Sequence, residues 1–266
     1  MSITLDEPAQ PVGVLLRHWR ERRRLSQLDL ASRTEVSARH VSFVETGRSK
    51  PTRAMVLKLS EQLDIPLRER NSLLLAGGFA PAYPEHQLDA LPMAAVADAI
   101  GKILDAHLPY PALVVDRHRR MVDGNAAITA FTAGCAPNLL EPPINVLRLS
   151  LHPDGMAPRI RNLGQWRAHI LDRLAHQIAT TGDDRLSELH RELSGYPGGN
   201  DGDEKGAGGH DTRALTVPLR VAGPSSDLSF FSTTTVFGTP LDVTLAELAI
   251  ESFYPADDLT AASFAR

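Results

Sequence analysis

Residues 24–52, RLSQLDLASRTEVSARHVSFVETGRSKPT, narrow the possible folds more than any other part of the chain. Ser26 and Ser37 each stand just before a short run with helical spacing. A serine there accepts a free backbone N–H of the first helical turn. The spacing predicts two helices, Gln27–Arg33 and Ala38–Glu45, meeting at a sharp turn. Leu28, Leu30 and Ala31 form the expected apolar side of the first. Ala31 is small enough for close approach, and Val36 and Val41 are expected to fill the space between the pair. Gly47 follows the second helix, where an exit often needs positive φ. Ala38, Arg39, His40, Ser42 and Phe43 are left on or beside the outer face.

The flanks continue the pattern. Val12, Leu15, Leu16 and Trp19 recur at helical spacing. Thr52 is placed to cap a helix that buries Met55, Val56, Leu59 and Leu63 before Pro66. Another helix runs from about Leu67 to Ala76 and stops at Gly77-Gly78. Five short helices over residues 12–78 are therefore expected, behind a loose tail at 1–11. Residues 79–92 read as a Gly/Pro-rich linker. The chain carries 28 Lys/Arg and 32 Asp/Glu, a net charge of -4. Residues 1–80 hold 13 and 9 of these, a balance of +4, so residues 81–266 stand at -8. Only the amino-terminal piece suits a polyanion.

The outer residues of the second helix fit base edges in a major groove. Arg39 can donate two hydrogen bonds to guanine, and Ser42 can bond a base or a phosphate. Ala38 or Phe43 can touch a thymine methyl. Gln27, at the start of its helix, suits a phosphate contact, and the cap Ser37 is counted among the DNA-binding residues. Arg48, Ser49, Lys50 and Arg53 form a basic cluster placed for flanking phosphates. The alternatives are an interaction bundle with no DNA role and, for His40, a merely solvated side chain. The stretch LSQLDLASRTEVSARHVSFVETGRSKPTRAMVLKLSEQLDIP resembles the phage-repressor (Xre/Cro) helix-turn-helix. The shared features are Ser-Gln opening one helix, "VS" opening the next, then S-x-x-E-x-G-x-x-x-P. Phe43 stands where that family usually has a polar or basic residue.

The rest of the chain reads as an α+β domain over residues 93–266. PALVVD (111–116) and RMVDG (120–124) predict paired strands. Residues 163–182 predict an amphipathic helix with Trp166, Ile170, Leu174 and Ile178 on one side. A second helix is expected at 184–193, then a flexible Gly-rich loop at 195–211. Strands are expected at 213–222, 227–237 and 242–255. No G-x-S-x-G, G-K-[ST] or H-E-x-x-H motif occurs, so catalytic spacing is missing and a non-enzyme is expected. His152 and His210 sit beside acids in apparent turns. His169 and His176 are too far apart for one metal ion, and the lone Cys135 builds neither a disulfide nor a zinc cluster. No cofactor or metal is expected. Neither a leader nor an apolar run of about 20 residues is visible, which reads as a cytoplasmic chain without a membrane span.

Leu113, Val115, Phe131, Trp166, Phe230, Phe253 and Tyr254 could line an apolar cavity or simply form a solid core; periodicity does not decide. PYPALVVDRHRRMVDGNAAITAF, followed by NVLRLSLHPDGMAPRIRNLGQWRAHILDRL, resembles the PAS-like carboxy-terminal domain of MmyB-like regulators. That resemblance implies a fatty acid or similar apolar ligand, and ligand roles for Asn125, His152, Trp166 and His169. Together these readings predict an α + (α+β) chain: a five-helix helix-turn-helix domain, then a PAS-like antiparallel-sheet domain with covering helices. The expected function is a one-component transcription regulator, a repressor in outline, acting as a homodimer on a palindromic double-stranded DNA operator. The competing classes are a DNA-tethered enzyme and an antitoxin-like interaction module.

Overall fold

A computed structural model of the chain describes residues 10–198, 216–223 and 226–264. The described residues divide into two compact units, those within 1–86 and 239–246, and those within 87–238 and 247–266.

The first unit is built from α1 (Val12–Arg22), α2 (Gln27–Thr34), α3 (Ala38–Glu45), α4 (Arg53–Gln62) and α5 (Leu67–Ala76). Three starts are set by the residues that the sequence indicated. Ser26, Ser37 and Thr52 accept the backbone N–H of Asp29, His40 and Met55, and Asp29 returns the bond to complete a capping box. Gly47 takes φ 72°, as an exit after α3 requires. Leu16, Leu30, Val41, Val44, Val56, Leu59, Leu63 and Leu73 form the core. Leu28 is a correction: it is 69 % exposed, because α2 turns Leu30, Ala31 and Thr34 inward instead. Gly13 marks a close approach of α1 to α3, since a Cβ there would lie 2.0 Å from the Val44 carbonyl oxygen.

Residues 79–86 are tied back to α5. The Asn71 side chain accepts from the Ala82 and Tyr83 N–H groups and donates to the Tyr83 carbonyl. Residues 239–246 belong to the same unit, held by Asp242 to His86 and by the Val243 N–H to the Pro84 carbonyl.

The second unit carries α6 (Ala94–Ala106), β1 (Ala112–Val115), β2 (Met121–Gly124), α7 (Thr129–Thr132) and α8 (Val146–Leu151). It continues with α9 (Leu163–Thr181), α10 (Asp184–Ser194), β3 (Leu219–Ala222), β4 (Asp227–Val236), β5 (Ala249–Pro255) and α12 (Asp258–Phe264). The five strands form one antiparallel sheet in the order β2-β1-β5-β4-β3. β1 is buried at every residue, which explains its unbroken apolar run: both faces of the sheet centre are covered. Ala112, Val114 and Ile250 pack on Ile100 and Leu104 of α6, while Leu113, Val115, Phe230 and Phe253 face the larger core under α9 and α10.

Two strand expectations are corrected. Residues 242–255 were expected to be one strand, but Val243–Glu247 form a short helix, α11, before β5 begins at Ala249. Asp242 Oδ1 accepts the N–H groups of Thr244 and Leu245 and so starts a helical turn where alternation suggests a strand. Tyr254 does not face the core. It is stacked on Phe231 on the opposite face from Phe253, as the two-residue period of a strand demands. The expected loop at 195–211 lies outside the described residues beyond Gly198, and of the expected strand at 213–222 only the part from 216 on is described.

Candidate functional site

In the first unit the candidate surface is the outer side of α3. Its inner side is fixed by a buried charge pair: Arg20 Nε and Nη2 donate to Glu45 Oε1 and Oε2 at 2.6 and 2.9 Å. Arg20 Nη1 also donates to the Leu25 carbonyl, and Gln27 Nε2 to Glu45 Oε2 at 2.8 Å. This pairing satisfies a carboxylate that would be costly to leave alone at such depth. It also fixes α3 against α1 and the start of α2. Gln27 therefore uses one of its two amide hydrogens within the fold.

On the other side Arg39 is exposed, and its guanidinium lies 5.2 Å from the centre of the Phe43 ring. The ring holds the arginine by a cation–π contact and limits its rotamers. Ala38, His40, Ser42 and Phe43 are half-buried around it, and Ser37 is exposed. Arg48, Lys50 and Arg53 are exposed just beyond α3, with Ser49 half-buried between them. All eleven residues named from the sequence thus come from the start of α2, from α3 and from the segment leading into α4.

In the second unit a small cavity of about 60 Å³ lies between the inner face of the sheet and helices α7, α8 and α9. Leu113, Ile128, Phe131, Trp166, Ile170 and Phe253 give it an apolar wall, while Thr132, Ser150, Ser232, Arg173 and Glu251 supply polar atoms. The Trp166 indole N–H donates to Ser150 Oγ at 3.0 Å, which fixes the ring plane in the wall. Glu251 lies on the inner face beside Phe253 and is almost buried. Arg119 Nη1 and Arg173 Nη2 both donate to its Oε1, at 3.2 and 3.3 Å. Burial holds the Arg119 guanidinium below its ordinary pKa, against the pull of Glu251.

Of the residues named from the sequence, Phe131, Trp166 and Phe253 line this cavity. Phe230 stands behind it, edge-on to Phe131 and Phe253. Asn125 sits elsewhere: its side chain accepts from the Ala112 N–H and donates to the Leu104 and Tyr110 carbonyls, tying α6 to β1. His152 accepts from the Asp154 N–H in a turn and touches the Tyr196 ring. His169 lies beside Trp166, with burial and Arg173 pulling its pKa down. Arg173, Glu251, Ser150 and Ser232 were not singled out from the sequence. Two of them carried a signal: Arg173 interrupts the apolar stripe of α9 three residues after Ile170, and Glu251 interrupts the apolar run of β5.

Among the described residues no three His, Cys, Asp or Glu side chains converge as a metal site requires, and no helix is long and apolar enough to cross a membrane.

Residues 96–266 match the family model of the MmyB-like transcription regulator ligand binding domain, and residues 11–73 that of a helix-turn-helix domain. The chain belongs to the MmyB-like transcription regulators. A protein of Methanoculleus marisnigri, named for an HTH-type transcriptional regulatory role, is 38 % identical over 111 residues. The match takes in 40 % of the regulator and 35 % of that relative, so the chain spans about a third of the relative's length. A solved RNA-binding light-oxygen-voltage receptor aligns over 98 % of the regulator and 62 % of its own chain, at 13 % identity and a TM-score of 0.30. That likeness is too slight to bear on function. The two family matches fall on the two units that carry the α3 surface and the inner cavity.

Proposed function

We propose that this MmyB-like regulator is a cytoplasmic, non-catalytic repressor. It binds a palindromic operator as a homodimer and releases it, or grips it, according to a small apolar-bodied ligand such as a fatty acid. The observation that carries the DNA side is the pre-set Arg39–Phe43 pair on the open face of α3, flanked by three exposed cations. Arg39 reads a guanine edge, and Ala38, His40, Ser42 and Phe43 fill the groove beside it. Gln27, Ser37, Arg48, Ser49, Lys50 and Arg53 meet the backbone. One such domain makes too few contacts for tight selectivity, which favours a dimer on two half-sites. Ligand control requires only that the ligand bind two arrangements of the protein with different affinity.

Arg39→Ala and Lys50→Ala test the assignment together. Arg39→Ala is expected to weaken operator binding by about 1–3 kcal/mol and to relax selectivity at one base pair. Lys50→Ala is expected to weaken all sequences alike and to reduce the slope of log K against log salt by about one. Fluorescence anisotropy over a salt series, on operator and scrambled duplexes, reads both. Undiminished selectivity in Arg39→Ala would remove Arg39 from the readers.

A further inference from the structure

The open face of α3 carries more than one cation. Val41, Val44 and Glu45 turn inward. At about 3.6 residues per turn, Arg39 and Phe43 are the positions opposite them, one turn apart on the same face. Two neighbours are partly committed elsewhere. Ala38 packs against the core of the unit, and His40 lines the groove between the α2–α3 turn and α4, with Met55 and Lys58. Of the two residues that the sequence offers to a thymine methyl, Phe43 is therefore the one left facing out. It is half-buried, yet it joins no hydrophobic cluster among the described residues. Part of its cover is the Arg39 guanidinium, 5.2 Å from the ring centre.

Arg39 itself has no hydrogen-bond or ion-pair partner among the described residues. A guanidinium with its N–H groups unspent and a ring with no core to fill are thus presented together. Each matches one feature of a major groove. The guanidinium forks onto O6 and N7 of a guanine, and an aromatic ring packs on the 5-methyl group that thymine projects. 5-Methylcytosine projects the same methyl group from the same ring position. Because ring and guanidinium touch, the groups they meet must be neighbours too: the edge of one base pair and the methyl of the next, ~3.4 Å along the strand. The phosphate side holds this register. The Ser49 N–H donates to the Phe43 carbonyl at 3.0 Å, which ties the segment carrying Arg48 and Lys50 to the same turn of α3.

We propose that Arg39 and Phe43 act as one reader, Arg39 taking a guanine and Phe43 the 5-methyl group of a pyrimidine in an adjoining base pair, so that cytosine methylation there strengthens binding. This rests on the DNA-binding reading above and adds to it a second determinant of specificity and a response to base modification. The gain at each half-site is that of one methyl group leaving water against a ring already held in place.

Selection from an unmethylated random duplex pool with the full chain gives a consensus, and the position at which Arg39→Ala loses selectivity marks the guanine. Fluorescence anisotropy then compares duplexes that differ by one methyl group in the pairs flanking it, in either strand: thymine against uracil, and 5-methylcytosine against cytosine. At one flank the methylated member of each comparison should bind about three- to five-fold tighter per half-site, as burial of one methyl group implies. Phe43→Ala should bring both ratios to one while a preference for guanine remains, and Phe43→Leu should keep part of each. Unchanged binding of Phe43→Ala to a scrambled duplex shows that the variant is folded. Equal binding within either comparison at both flanks overturns the proposal, as does a ratio that survives Phe43→Ala. In both cases the guanine assignment of Arg39 still stands. An Arg39→Ala variant that loses selectivity nowhere overturns that assignment and the proposal together.

Discussion

Single residues decide how close the elements of this regulator come. Gly13 is the clearest case. Its missing side chain admits the Val44 carbonyl, and a Cβ at 2.0 Å from that oxygen forces backbone to move. Gly13→Ala is therefore expected to destabilise the amino-terminal unit by about 1–3 kcal/mol, although alanine is the better helix former. Urea unfolding of the variant in a Trp166→Phe background, read from Trp19, checks this; an unchanged midpoint would mean that α1 shifts at no cost. The Arg20–Glu45 pair works at the same scale. It is internal to the fold and is not legible from the sequence, because nothing local says that residues 25 apart meet.

Among the elements, α8 and α10 are joined by charge. Arg148 Nε and Nη2 donate to the two Glu192 oxygens at 2.6 and 2.7 Å, and the Tyr196 hydroxyl donates to the same carboxylate. The hydrogen bonds from Arg148 hold the Glu192 carboxyl below its ordinary pKa despite partial burial. The Tyr196 phenol is pushed up to about 12, by burial first and by Glu192 second. A depressed acid favours the folded state above its unfolded pKa, and that contribution fades as pH falls through the folded value. Glu192→Gln should thus cost more stability at pH 7 than at pH 3. Urea midpoints at the two pH values measure it, and a cost independent of pH would show that the pair contributes through packing alone. Both side chains are more than a third exposed, so salt should shrink the effect.

At the scale of the molecule, chain order and compact unit do not coincide. Residues 239–246 lie between β4 and β5 in sequence yet belong with residues 1–86. Asp242 is the residue that secures them. Its two oxygens accept from the His86 N–H and ring Nδ1 and from the N–H groups of Thr244 and Leu245. Asp242→Ala leaves several of these donors unsatisfied and is expected to destabilise the amino-terminal unit by about 1–3 kcal/mol. Each unit carries one of the two tryptophans, so a Trp166→Phe background leaves Trp19 as a reporter of that unit alone. An unaltered Trp19 transition in Asp242→Ala would show that residues 239–246 add nothing to it.

The sequence by itself determined what depends on neighbours a few residues apart. The caps at Ser26, Ser37 and Thr52, the exit at Gly47, the stripe of α9 and the outward set around Arg39 are all local, because a helical turn closes within four residues. The antiparallel sheet and its covering helices followed from period and turn chemistry in the same way. Tertiary structure decided what needs distant partners. It turned Leu28 and Tyr254 outward, made a helix of Val243–Glu247 through Asp242, gave Asn125 to three backbone groups, and brought Arg119, Arg173 and Glu251 together from a turn, a helix and a strand. A charge on an apolar stripe is visible in a sequence, but its partner is not. Which cation meets which carboxylate, and which donor is left over, is fixed only when the elements pack.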